Sequence, residues 1–267
     1  MDASFLIVFP EIARLRERVK KLKTELSMLI LERDELEFVI CKNLETAYLM
    51  KFGPLEYTVY RAQCSALRAK RRLELVQARK NRQENFLLDE IESVLDREFE
   101  EYRTKLAEQL QKMNDALRRS QSEQLSDEET RELKSLYRKI IKLVHPDLCG
   151  TQSGEFMNLY QRAVMAYKNG NLEALRIIFL LIDQGAEPEE DTDRISLLEE
   201  EEKRLVSLME SVREEMKKIR STFPYTMKEL LQSPEKTEER LRYLQSVADR
   251  YAEMEKMYEH RTASLLR

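Results

Sequence analysis

The sequence predicts an all-α, elongated protein in which antiparallel coiled-coil hairpins flank a small helical domain. Three observations carry this prediction. Glycine occurs 5 times and proline 6 times in 267 residues, far below the roughly 7% and 5% of ordinary chains. The marked turns that a sandwich, barrel or doubly wound sheet requires are therefore missing. Charged residues make up 36% and aromatic residues 7%, with no tryptophan, a balance that suits long helices with wet outer faces. Finally, apolar residues recur at steps of three and four in both the first and the last third of the chain, which marks heptad seams.

The first seam is Ile12, Leu15, Val19, Leu22, Leu26 and Leu29, following Pro10 at a position suited to a first helical turn. Apolar spacing continues through Leu36 and Val39 towards Met50, and Gly53-Pro54 is expected to end the helix there. A second helical stretch, with room for breaks, is expected from near Leu55 to about Arg119, with Phe86, Leu87, Ile91, Leu95, Phe99 and Leu106 as candidate buried positions. The polar run Ser120 to Gln124 then serves as a joint, and Ser126 with Glu129 forms a capping-box pattern that opens a new helix. That helix must stop near Val144, because Pro146 disfavours helical geometry at His145. A short loop from Cys149 to Gly154, a helix from Glu155 to Lys168, a break at Asn169-Gly170-Asn171 and a helix from Leu172 to Asp183 follow. The segment Gly185 to Asp193 is an acidic linker.

The last third carries Leu198, Leu205, Val212 and Ile219 in one seven-residue row, with Met209 and Met216 in the other. A bend from Thr222 to Pro234 precedes a returning helix lined by Leu244, Val247, Tyr251, Met254 and Tyr258. Short connections between helices of similar length predict internal hairpins. The expected organisation is an N-terminal coiled-coil hairpin at 1–121, a small helical domain at 122–185 and a C-terminal coiled-coil hairpin at 186–267.

Forty-six Lys and Arg against 50 Asp and Glu give a net charge of −4, which argues neither for nor against nucleic acid. Residues 61–82 hold eight basic groups against one acid, Glu74. That run could meet phosphates, but it is also what the wet side of a coiled coil shows. Cys41, Cys64 and Cys149 are odd in number and widely spaced, which fits reduced thiols in a cytoplasmic protein and predicts no metal cage. The apolar runs Phe5 to Phe9 and Ile177 to Ile182 are too short to span a membrane. With no glycine-rich phosphate loop, nucleophile elbow or metal-ligand spacing, the chain is not expected to be an enzyme or to carry a cofactor.

One stretch carries specific chemistry. In Arg131 to Asp147, Leu133, Leu136, Tyr137, Ile140 and Val144 form an apolar stripe, while Arg131, Lys134, Arg138 and Lys142 line another side at three- and four-residue steps. Such a cationic face suits an acidic docking surface. At its end stands His145-Pro146-Asp147. Proline fixes its own backbone angle and stops the helix. Histidine supplies a ring donor and a ring acceptor, and aspartate a carboxylate that an arginine can grip with two bonds.

This stretch resembles a J-domain, the module with which DnaJ-type co-chaperones engage DnaK-type heat-shock chaperones. The resemblance rests on Tyr137-Arg138-Lys139, on His145-Pro146-Asp147 and on the amphipathic helix that follows, where Ala166-Tyr167 is similar to the family's Ala-Tyr pair. It covers residues 122–185 only. It implies that Lys134, Arg138, Lys139 and Lys142 dock on the partner, that His145, Pro146 and Asp147 stimulate ATP hydrolysis there, and that Tyr137 is partly structural. The ATP would belong to the partner, and the coils would set targeting, bind clients or self-associate. The departures are a missing first helix before the capping box, Leu148-Cys149 where the family often carries basic residues, and no glycine/phenylalanine-rich or zinc module. The missing helix motivates a rival reading, a structural coiled-coil scaffold with an inactive J-like domain. The first reading expects the corner at His145 to be reachable by another macromolecule.

Overall fold

Every described element is helical, as the scarcity of turn residues requires. The computed structural model describes residues 10–121, 125–149, 154–183 and 195–267. The apolar run Phe5 to Phe9, residues 122–124 of the joint before Ser126 and the linker from Gly185 to Asp193 lie outside them. In chain order the helices are α1 (Pro10–Glu35), a π-helical segment (Leu36–Cys41), α2 (Lys42–Asn81), α3 (Leu88–Glu98), α4 (Glu100–Gln121), α5 (Asp127–Val144), α6 (Pro146–Cys149), α7 (Gly154–Lys168), α8 (Leu172–Asp183), α9 (Ile195–Ser221), α10 (Lys228–Gln232) and α11 (Pro234–Leu266). Two compact units divide the chain. The first comprises Met1–Lys42 and Glu123–Tyr225, and the second Asn43–Ser122 and Thr226–Arg267. Each unit thus draws on separate stretches of sequence, rather than on the three successive blocks expected.

In the first unit the seam of α1 finds its partner in α9, not in a neighbouring hairpin arm. Arg18 pairs with Glu202 at 2.8 Å, Arg33 with Glu215 at 3.2 Å and Glu32 with Arg220 at 3.2 Å. Numbers rise together on both helices, so the pair is parallel, which a short-looped hairpin cannot be. Val19, Leu26 and Ile30 of α1 and Leu205, Met209, Val212 and Met216 of α9 are buried in one core with α5, α7 and α8. The heptad residues are correctly read as a seam. Their spacing does not say which helix lies across it, because any apolar stripe of the same period fits.

The second unit holds an antiparallel helix pair whose arms are not those expected: α2 runs against α3 and α4. Helix α2 continues through Gly53-Pro54, and the chain reverses near Asn81 to Leu87. Pro54 is exposed, so the carbonyl freed on the preceding turn faces solvent. Gly53 is buried, and a Cβ there would lie 3.1 Å from Met113 Cγ of α4. The glycine therefore admits a neighbouring helix and does not turn the chain. Antiparallel pairing is fixed by Tyr60 beside Tyr102, Arg68 on Glu92 and Asp96, and Arg71 on Glu98. Leu244 of α11 joins Tyr48 and Phe52, and Leu265 packs on Val76, Ile91 and Leu95, so α11 lies alongside α2. Leu87 and Met254, two expected core positions, are exposed.

Candidate partner-docking site

The helical segment from Ser126 to Asp183 forms because its ends are capped as its sequence dictates. At the start of α5, Glu129 N–H donates to Ser126 Oγ at 3.2 Å, and Ser126 N–H donates to Glu129 Oε2 at 2.8 Å. Helix α5 stops at His145, which is extended with φ −67° and ψ 126°, the geometry a following proline imposes. Pro146 then opens α6, so the corner is a single helical turn where a loop was expected. Gly170, with φ +65°, ends α7 and lets α8 fold back.

Helix α7 lies antiparallel to α5. The rings of Tyr137 and Tyr167 stack with centroids 4.0 Å apart, and His145 meets Tyr160 edge-on at 4.9 Å. Ala163, Ala166 and Tyr167 are buried. Helix α1 packs on α5 and α6. Tyr137 O–H donates to Asp34 Oδ2 at 2.6 Å inside the protein. Arg33 holds the other oxygen of Asp34 at 2.6 and 2.9 Å and reaches Glu215 of α9 at 3.2 Å. A buried carboxylate is stable only when it is paired and hydrogen-bonded in this way. Burial, reinforced by Asp34, drives the Tyr137 phenol far above its ordinary range, so it serves as a permanent donor. Asp34 and Arg33 carried no signal in the sequence. They sit in the wet-looking flank of the seam, and only the approach of α5 buries them.

The expected site residues divide into two sets. Tyr137 is wholly buried and His145 only 4% exposed, so the corner's imidazole is not open as expected. Its Nδ1 accepts the Asp147 backbone N–H at 3.2 Å. Burial and Arg33 push its pKa below the ordinary value of 6.5, against the opposing pull of Asp147 and Asp34. The ring is therefore neutral, with its proton on Nε2. Lys134 pairs with Glu35 of α1 at 2.5 Å, and Arg138 is half-buried and lines a groove shared with Glu25, Glu32 and Glu35. In the other set, Lys139 and Lys142 are exposed, with Lys139 over the ring of Phe179. The Asp147 side chain is 42% exposed, while its carbonyl accepts from Arg204 of α9 at 2.9 Å. Pro146 is half-buried.

The basic run of α2 is different in kind. Arg68, Arg71, Arg72 and Arg79 all face carboxylates of the same hairpin: Glu92, Asp96, Glu98, Glu74 and Glu84. Cys41 and Cys64 are buried and form no disulfide, and the side chain of Cys149 lies outside the described residues. Among the described residues no group of side chains is arranged to hold a metal ion, and no helix is long and apolar enough to cross a membrane. Comparison with protein-family models, with curated proteins and with solved structures finds no match to this chain.

Proposed function

We propose that the first unit contains a J-like co-chaperone module that docks on a DnaK-type heat-shock chaperone and stimulates its ATP hydrolysis, in a reduced cytoplasmic setting. The observation supporting this reading is the arrangement of α5, the His145-Pro146-Asp147 corner and antiparallel α7. A rigid one-turn corner, with the Asp147 carboxylate open to solvent, ends a helix that shows Lys139 and Lys142 on its surface. That combination offers an acidic partner both long-range attraction and a fixed polar contact. His145 acts from inside, as the acceptor that holds the Asp147 backbone. The parallel α1–α9 pair and the second unit serve targeting or client capture.

Burial of His145 favours a second reading, a coiled-coil scaffold in which the J-like fold is only a packing element. One experiment separates the two. Single-turnover ATP hydrolysis by a purified DnaK-type chaperone is followed with saturating full-length protein, and with its Asp147→Asn and His145→Gln variants. Faster turnover that either substitution abolishes is the expected result. No stimulation, or equal stimulation by all three, overturns the co-chaperone reading and leaves the scaffold.

A further inference from the structure

We propose that α1 and α9 together form a built-in cover over the Lys134 side of α5 and the Asp147 corner, which must lift before a partner ATPase can engage Lys134. This rests on the docking reading above and adds its regulation. The contacts come from both helices and fall on the same helix and corner that reading uses. Glu35 of α1 takes Lys134, and Arg138 lines a groove shared with Glu25, Glu32 and Glu35. The carboxylate on Lys134 occupies the place that an acidic partner surface would occupy, so cover and partner compete for that cation. Asp34 holds Tyr137 from the same turn of α1. Arg204 of α9, steadied by Glu201 at 2.7 and 2.8 Å, ties the Asp147 carbonyl. His145 is sealed beneath.

The cover is also built to move as one piece. α1 and α9 pack on each other along an apolar seam that runs into the core shared with α5, α7 and α8, and they are joined by the ion pairs Arg18–Glu202, Arg33–Glu215 and Glu32–Arg220. Its ties to α5 and α6 are fewer, and Lys134–Glu35 and the Arg204 contact are partly exposed. Pairs of that kind are individually weak. Directly after Glu35 the backbone passes into the π-helical segment Leu36–Cys41, a local geometry that departs from the regular ladder and is common at functional positions. The buried Tyr137–Asp34 bond keeps the closed form as the resting one.

A closed majority lowers apparent affinity by the open fraction and leaves the plateau of stimulation unchanged. The test compares full-length wild type with Glu35→Gln and with Glu35→Gln/Arg204→Ala, all outside the residues assigned to docking. Two readouts are taken: the concentration giving half-maximal ATPase stimulation, and amide hydrogen exchange at residues 145–149. Expected are faster exchange and a half-maximal concentration lowered about two- to tenfold, the range that losing one or two partly exposed pairs allows, with His145→Gln abolishing stimulation in either background. Glu35→Gln alone removes one charge from a half-exposed side chain, and so tests the cover even if the double variant folds poorly. Unchanged exchange overturns the cover. Faster exchange with stimulation present and an unshifted half-maximal concentration overturns its regulatory role while the docking reading stands. Absence of stimulation by every form at any concentration overturns the docking reading itself, whatever the exchange shows.

Discussion

The basic faces of α2 and α5 look alike as sequence and differ as structure. Along α2 the arginines are answered by acids one hairpin arm away, on side chains that are partly exposed. Along α5, Lys134 is answered from α1, distant in sequence, and the same contact buries Asp34 against Tyr137. The α2 pairs form wherever a hairpin closes, and they report only on solubility and register. The α5 contacts exist only because a remote helix has been laid across a particular face. A charge run thus becomes informative when its partner comes from far away and brings a buried group with it.

Four measurements break or sharpen this contrast, taken from the largest expected effect to the smallest. Asp34→Ala strands the Tyr137 hydroxyl and Arg33, and should cost about 3–5 kcal/mol of stability, read as a drop in urea midpoint by circular dichroism. A loss no greater than that of a surface substitution would erase the distinction between the two faces. Tyr137→Phe keeps the ring stack on Tyr167 but leaves the Asp34 carboxylate short of a donor, for about 1–3 kcal/mol; retention of the full midpoint would show that the bond contributes nothing net.

Acidification comes next. His145 has a folded pKa below its unfolded value of about 6.5, so the unfolded chain binds the extra proton as pH falls. The stability it contributes is complete above about pH 6.5 and declines below it, by about 1 kcal/mol per pH unit while the buried ring stays neutral. Asp147 on α6 and Asp34 on α1 favour the charged ring, and Arg33 on α1 opposes it. The wild-type midpoint should fall between pH 7.5 and 5.5 more steeply than that of His145→Gln; parallel slopes would contradict burial of a neutral imidazole. Smallest is Glu92→Gln in α3, which removes partners of Arg68 and Arg72 that are partly exposed and should cost about 0.2–1 kcal/mol, less at high salt. A loss as large as that of Asp34→Ala would mean that the α2 face is equally structural.

Local signals in the sequence were read well where the physics is local. The capping box at Ser126 and Glu129, the stop imposed on α5 by Pro146 and the break at Gly170 each follow from one residue's backbone preference, and the structure realises them. Gly53-Pro54 misled because a helix tolerates proline when its ring faces water and a large neighbour needs the glycine's space. The division of site residues into covered and open sets was not legible, since Lys134 and Lys139 share composition and neighbourhood. Their difference lies in which side of α5 meets α1.

By itself, then, the sequence determined that the chain is helical, where most helices begin and end, and that one cationic helix closes on a histidine-proline-aspartate corner. Tertiary structure alone decided that α1 pairs in parallel with α9, that both reach that corner, and that His145 is buried there. The reason is physical. Caps and prolines act on their own turn of backbone, whereas apolar seams and surface charges are satisfied by any complementary helix, so only packing selects among them.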